Sequence, residues 1–214
     1  MPIWVFDKFD KNIIYPVIYN LQILPETLMC GIIILAIILG NQPLVALALS
    51  LVFTQLIAQG IGRIIMNIQP DSAIARTSID PCSVGILSKS WARLAGSNPN
   101  LLWHPMAPSI YLSTIGFFAG WGIALQQIYK EEIDSGLIKK SSLVTTLALG
   151  MILLALAFAY RIYSGCESFM GATAGTVLGL MFGLLGCIAL SYVTDRKATN
   201  LWGIPLLKRN RSRK

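Results

Sequence analysis

Charge and histidine are what this chain of 214 residues has least of. Only 13% of its residues are Asp, Glu, Lys or Arg, against about 25% in a soluble globular domain. A molecule solvated by water on all sides is therefore excluded. There is one histidine, His104, and no cofactor or metal ligand set is expected. Residues 1–20 lack a basic region leading into an apolar core and carry Asp7 and Asp10, so no signal peptide is read there and insertion is expected through the chain's own spans. Cysteines number only four. Cys30 and Cys187 fall in apolar runs, where a small, weakly polar side chain is ordinary. Cys82 and Cys166 fall in connections that the topology below puts on one side, and a disulfide between them stays open because sequence does not supply its geometry.

Long apolar runs are what the chain has in abundance, with 55% hydrophobic residues. About 20 residues cross a bilayer's hydrocarbon, and five segments qualify: Leu21–Leu39, Pro43–Ile61, Pro108–Gln126, Ser142–Tyr160 and Met170–Val193. Gly40-Asn41-Gln42-Pro43 separates the first two, with glycine at a helix end and proline at a helix start. The expected fold is all-α: an integral membrane helical bundle of about five transmembrane helices. Residues 1–20 mix Trp4, Phe6 and Tyr15 with Asp7, Lys8, Asp10 and Lys11 and read as an interfacial segment. Residues 21–193 form the bundle, and residues 194–214 a basic cytosolic tail. Within Ser83–Gly96, Ile86, Leu87, Trp91 and Leu94 share one helical face, predicting a short amphipathic loop helix on the membrane surface.

The formal net charge of +7 does not point to nucleic acid, because the basic residues lie between spans and at the tail. The loop after the third span and the tail hold ten basic residues and the opposite side seven. The positive-inside bias thus puts the C-terminus in the cytosol. Residues 62–107 and the Arg161 loop then share the extracytoplasmic face. The cluster Lys208 to Lys214 serves as a topology anchor, and such a cluster also attracts anionic lipid. Gly171, Gly175, Gly179 and Gly183 form one ridge on the last span, suited to close helix approach within the bundle or to a homo-oligomer or complex seam. Membrane lipids are the other expected partners.

Three fragments fall at span ends on one face: Gly62 to Pro70, Pro108-Ser109-Ile110-Tyr111, and Arg161 to Gly171. In order, spacing and position they resemble the type 2 phosphatidic acid phosphatase (lipid phosphatase/haloperoxidase) family, over roughly Asp7 to Ser191. That family's signature reads Lys-x6-Arg-Pro, Pro-Ser-Gly-His and Ser-Arg-x5-His-x3-Asp. The resemblance implies a helical membrane scaffold with a phosphate site of basic residues and a serine, and a histidine nucleophile oriented by an aspartate.

Pro70, Pro108, Ser109, Arg161 and Gly165 keep the pattern, and Arg63 lies one place from the first-motif lysine position. The reactive positions depart from it. Tyr111 stands for the second-motif histidine, Glu167 for the nucleophile and Gly171 for its aspartate. The expectation is a catalytically degenerate member with a structural or lipid-contacting role, in which Glu167 pairs with Arg161 and fills the anion pocket. Arg63, Ser109, Arg161 and Glu167 form the headgroup-site remnant. The rival is a divergent phosphohydrolase of lipid phosphates or polyprenyl diphosphates using Arg161, Ser109 and Arg63, with His104 recruited as acid or nucleophile. The spans carry only isolated polar residues such as Thr54, Gln55 and Gln59, which disfavours a transport pathway.

Overall fold

The computed structural model describes residues 15–68, 108–135, 140–194 and 199–201. Among them the regular structure is wholly α-helical, apart from a single residue of tighter turn at Thr199. The helices are α1 (Tyr15–Leu39), α2 (Gln42–Ile68), α3 (Ile110–Ile128), the short α4 (Lys130–Asp134), α5 (Lys140–Tyr163) and α6 (Phe169–Val193). Gly40, at φ 57°, turns α1 into α2 with its N–H donating to the Ala36 carbonyl at 3.1 Å. That left-handed conformation is one a glycine adopts without a Cβ penalty.

α3 is the hub, and its pairing with α6 is the most extensive in the fold. A Cβ on Gly175, Gly179 or Gly183 would collide with the backbone of Ser109, Ser113 or Phe117 respectively. In return, Gly116 and Gly120 of α3 bring their Cα atoms against the Thr176 and Leu180 backbone of α6. Contacts advance together along both helices, so α3 and α6 run parallel. At Gly175, Gly179 and Gly183 the glycine ridge is therefore filled within the chain. With side chains absent at the contact, backbones approach to dispersion distance, the main cohesion available where exclusion from water no longer drives association.

α2 crosses the same hub in the opposite sense. Its Leu47 and Leu51 pack with Phe117, Trp121, Leu125 and Cys187. Nearer its C-terminal end, Gln55 Nε2 donates to Thr114 Oγ1 at 2.7 Å and reaches Ser113 Oγ at 3.3 Å. On another side, Tyr111, Leu112, Ile115 and Ala119 of α3 meet Leu154 and Ala157 of α5 and Ala172 of α6. The outward faces of α1, α2, α5 and α6 expose Ile37, Ile38, Phe53, Ile152, Leu156, Met181 and Leu185. So much exposed aliphatic surface suits contact with lipid chains rather than with water.

By length and composition three helices fit a membrane crossing: Gln42–Ile65, Val144–Tyr163 and Phe169–Val193. Two of the five expected spans are not among them. α1 contributes an apolar stretch of 13 residues, Thr27–Leu39, within a longer helix. α3 falls short for a physical reason. Enclosed by α2, α5 and α6, it carries Ser113, Thr114, Gly116, Gly120 and Gly122 where a lipid-facing helix carries aliphatics. α1 also begins at Tyr15, inside the segment read as interfacial.

Residues beyond the last helix also take part in the core. Thr199 is fully buried, its Oγ1 sits 3.1 Å from Tyr129 Oη, and Leu201 packs on the core, so residues 199–201 return to the bundle. Residues 1–14, the amphipathic helix expected in Ser83–Gly96 and the cluster Lys208 to Lys214 lie outside the described residues.

The glycine contacts set a test. Gly179→Ala drives a Cβ into the Ser113 backbone, and overpacking of this kind costs about 1–3 kcal/mol. Gly150→Ala on α5 meets nothing within 4 Å and gains helix propensity of up to about 1 kcal/mol. Unfolding titrations in detergent are expected to show the first variant clearly destabilised and the second at or above wild type.

Candidate functional site

The end of α5 is built to return the chain on itself. Gly165, at φ 69°, follows the helix, with its N–H donating to the Ile162 carbonyl at 3.0 Å. The Cys166 N–H donates to the Arg161 carbonyl at 3.1 Å. Together these bonds make a Schellman cap, which satisfies carbonyls that a helix end otherwise leaves free. The Glu167 N–H also reaches the Arg161 carbonyl, at 3.3 Å. Ser168 then opens α6, its hydroxyl accepting from the Gly171 N–H at 3.1 Å.

This tight return brings the Glu167 carboxylate onto the Arg161 guanidinium. Arg161 Nε and Nη2 both donate to Glu167 Oε1, at 2.9 and 2.7 Å. The two side chains are only 7% and 5% exposed, and the Arg161 Cζ lies 4.8 Å from the centroid of the Tyr111 ring. A guanidinium at the mouth of an apolar helix is costly unless paired. Here a carboxylate and an aromatic face supply the partners. Arg161 also lies in the last turn of α5, where a cation complements the helix dipole.

α3 contributes from the side. Ser109 caps it, the hydroxyl accepting from the Leu112 N–H at 3.0 Å. The Ser109 N–H donates to the Gly171 carbonyl at 3.0 Å, tying the starts of α3 and α6 together. Ser109, Tyr111, Arg161 and Glu167 thus gather at one end of the bundle. Arg63 lies near the α2 terminus at that end but is exposed, and no hydrogen bond or ion pair joins it to this group among the described residues. His104 lies outside the described residues.

The pairing anticipated for Arg161 and Glu167 is present. In this state the arrangement has little to offer an external anion, since two of the guanidinium's three nitrogens are turned onto a carboxylate oxygen. A carboxylate so engaged is also a blunted nucleophile. Two atoms of the pair are left over: Arg161 Nη1 and Glu167 Oε2 are buried without a hydrogen-bond partner among the described residues.

Comparison with known proteins adds no precedent. The chain matches no family model, no curated protein and no solved structure.

Cys166, next to Glu167, is disulfide-bonded, whereas Cys30 and Cys187 are free thiols. The chain's remaining cysteine, Cys82, lies outside the described residues. Two features of the end were not anticipated from sequence. One is the stacking of Arg161 on Tyr111. The other is the node in which Gln55 joins Ser113 and Thr114, so that polar residues which look isolated along the chain are partners in space.

Breaking a buried ion pair by removing one member costs about 3–5 kcal/mol, because the other charge is left uncompensated. Arg161→Met and Glu167→Leu are each expected to lose stability on that scale. The double variant should recover a large part of the loss, as read by unfolding midpoints in detergent. Additive losses in the double variant would mean that the two groups do not depend on each other.

Proposed function

We propose that this protein is a non-catalytic, membrane-embedded helical bundle with a structural or lipid-contacting role, on a scaffold resembling the lipid-phosphatase family. Five crossings are proposed. At about 1.5 Å per residue, the 25 residues of α1 and the 19 residues of α3 extend about 37 and 28 Å, close to or beyond the roughly 30 Å hydrocarbon core. Burial of α3 among its neighbours accounts for its lower apolarity.

The observation that carries the non-catalytic reading is the position of Glu167 Oε1. It takes hydrogen bonds from two guanidinium nitrogens that a phosphate would need. An anion fixed in that place repels a second anion. The position corresponding to the family's nucleophilic histidine is thereby turned into an internal counter-ion. Tyr111, in place of the other family histidine, stacks on the same guanidinium and lacks an imidazole's readiness to exchange protons near neutral pH.

The side of the membrane is proposed from two supports. The basic residues divide ten to seven in favour of a cytosolic tail. A disulfide at Cys166 suits an oxidising compartment. Both support an extracytoplasmic position for the Arg161–Glu167 end.

Purified protein in detergent, given phosphatidic acid or a polyprenyl diphosphate, is expected to release no phosphate above background. Turnover that disappears on His104→Ala and on Arg161→Ala would replace this reading with the divergent phosphohydrolase.

A further inference from the structure

The ion pair is incomplete, and what it lacks is specific. Among the described residues Arg161 Nη1 has donors without an acceptor, and Glu167 Oε2 is an acceptor without a donor, both buried. Leaving such groups unsatisfied is unfavourable, the more so for charged ones. Because the two side chains cancel each other's charge, a simple anion gains little here: Arg161 attracts it and Glu167 repels it. A simple cation meets the reverse. What completes both atoms is one molecule carrying a negative acceptor and a positive N–H donor a few bonds apart.

The setting narrows the class. The turn joins the ends of two helices that fit a membrane crossing, which puts it at headgroup depth. On the same turn Tyr163, Phe169 and Met170 are strongly exposed, as side chains facing the interface and the upper acyl chains are. We propose that the Arg161–Glu167 pair receives a zwitterionic lipid headgroup with an N–H-bearing ammonium, the phosphoethanolamine class. The phosphate accepts from Arg161 Nη1 and the ammonium donates to Glu167 Oε2, while the bonds to Glu167 Oε1 stay in place. Neither atom is open to solvent, so the headgroup reaches them only when the groups covering them move aside. The proposal rests on the membrane-embedded, non-catalytic reading and names the lipid that this reading leaves unspecified.

Methylation of the ammonium supplies the test, because phosphocholine has the same charges but no N–H to donate. Full-length protein in detergent is offered equal amounts of acyl-matched phosphatidylethanolamine, its N-methyl and N,N-dimethyl forms, phosphatidylcholine and phosphatidic acid, and retained lipid is counted by native mass spectrometry. Loss of one charge-assisted hydrogen bond corresponds to about a tenfold drop in retention. The drop is expected between the dimethyl form, which keeps an N–H, and phosphatidylcholine, which has none. Glu167→Gln is expected to reduce the discrimination to within about twofold. The methylation series stands without that variant if it fails to fold.

Equal retention across the series would overturn the proposal and leave water as the occupant. Preferential retention of phosphatidic acid would overturn it in favour of a plain anion site. Displacement of the bound lipid by free phosphoethanolamine at matched concentration would overturn the assignment to a lipid. Phosphate release is scored in the same samples. Release sinks the non-catalytic reading, whereas equal retention without release sinks only this inference.

Discussion

A guanidinium that has left water must be answered by its surroundings, and the Arg161–Glu167 pair is how this fold answers it. The idealised cost of moving such an ion into a medium of low dielectric is of the order of 20 kcal/mol, and several kcal/mol remain after relaxation. The pair therefore constrains everything near it. Glu167 reaches Arg161 because the turn after α5 is a Schellman cap through Gly165 and because α6 starts promptly at Ser168. Tyr111 lies within range of the guanidinium because Ser109 starts α3 beside Gly171. An ion pair, two caps and one interhelix backbone hydrogen bond thus settle the geometry of this end of the bundle.

That geometry holds because α3 and α6 are locked along their length. Glycines on both helices leave no side chain between the backbones, so neither helix can slide without meeting the other. The lock is purely steric, and it suits a medium in which apolar surface gains little from hiding. Away from the lock, polar groups take a smaller part. Gln55 holds α2 to Ser113 and Thr114, and Tyr129 meets Thr199 beyond the other end of α3. One end of the molecule is thus organised around charge and the other around hydroxyl contacts and apolar packing.

What was legible in the sequence was local. Gly40 to Pro43 announced a helix hairpin, the four-residue glycine spacing announced a close helix contact, and Arg161 with Glu167 six residues away announced a pair that a tight turn could bring together. What escaped needed partners far apart in the chain. Gln55 looked isolated because Ser113 and Thr114 are 58 and 59 residues away. Thr199 looked like part of a tail because Tyr129 is 70 residues away. The hub role of α3 was hidden too, since a sequence that reads as a span does not say which helices enclose it. Ser109 was read as part of a headgroup-site remnant, and its local role as the cap of α3, accepting from the Leu112 N–H, was not read from the sequence.

The Arg161 guanidinium is answered from within the chain. Solid-state NMR in lipid bilayers tests it directly, by recoupling Arg161 side-chain 15N to Glu167 13Cδ and, separately, to lipid 31P. Strong dephasing of the Arg161 Nε and Nη2 signals by the Glu167 carboxyl carbon is expected, as hydrogen bonds of 2.9 and 2.7 Å to its oxygen require. Dephasing of Nε and Nη2 by 31P, with none from Glu167, would contradict it: the guanidinium would then be holding a phosphate with the carboxylate turned away.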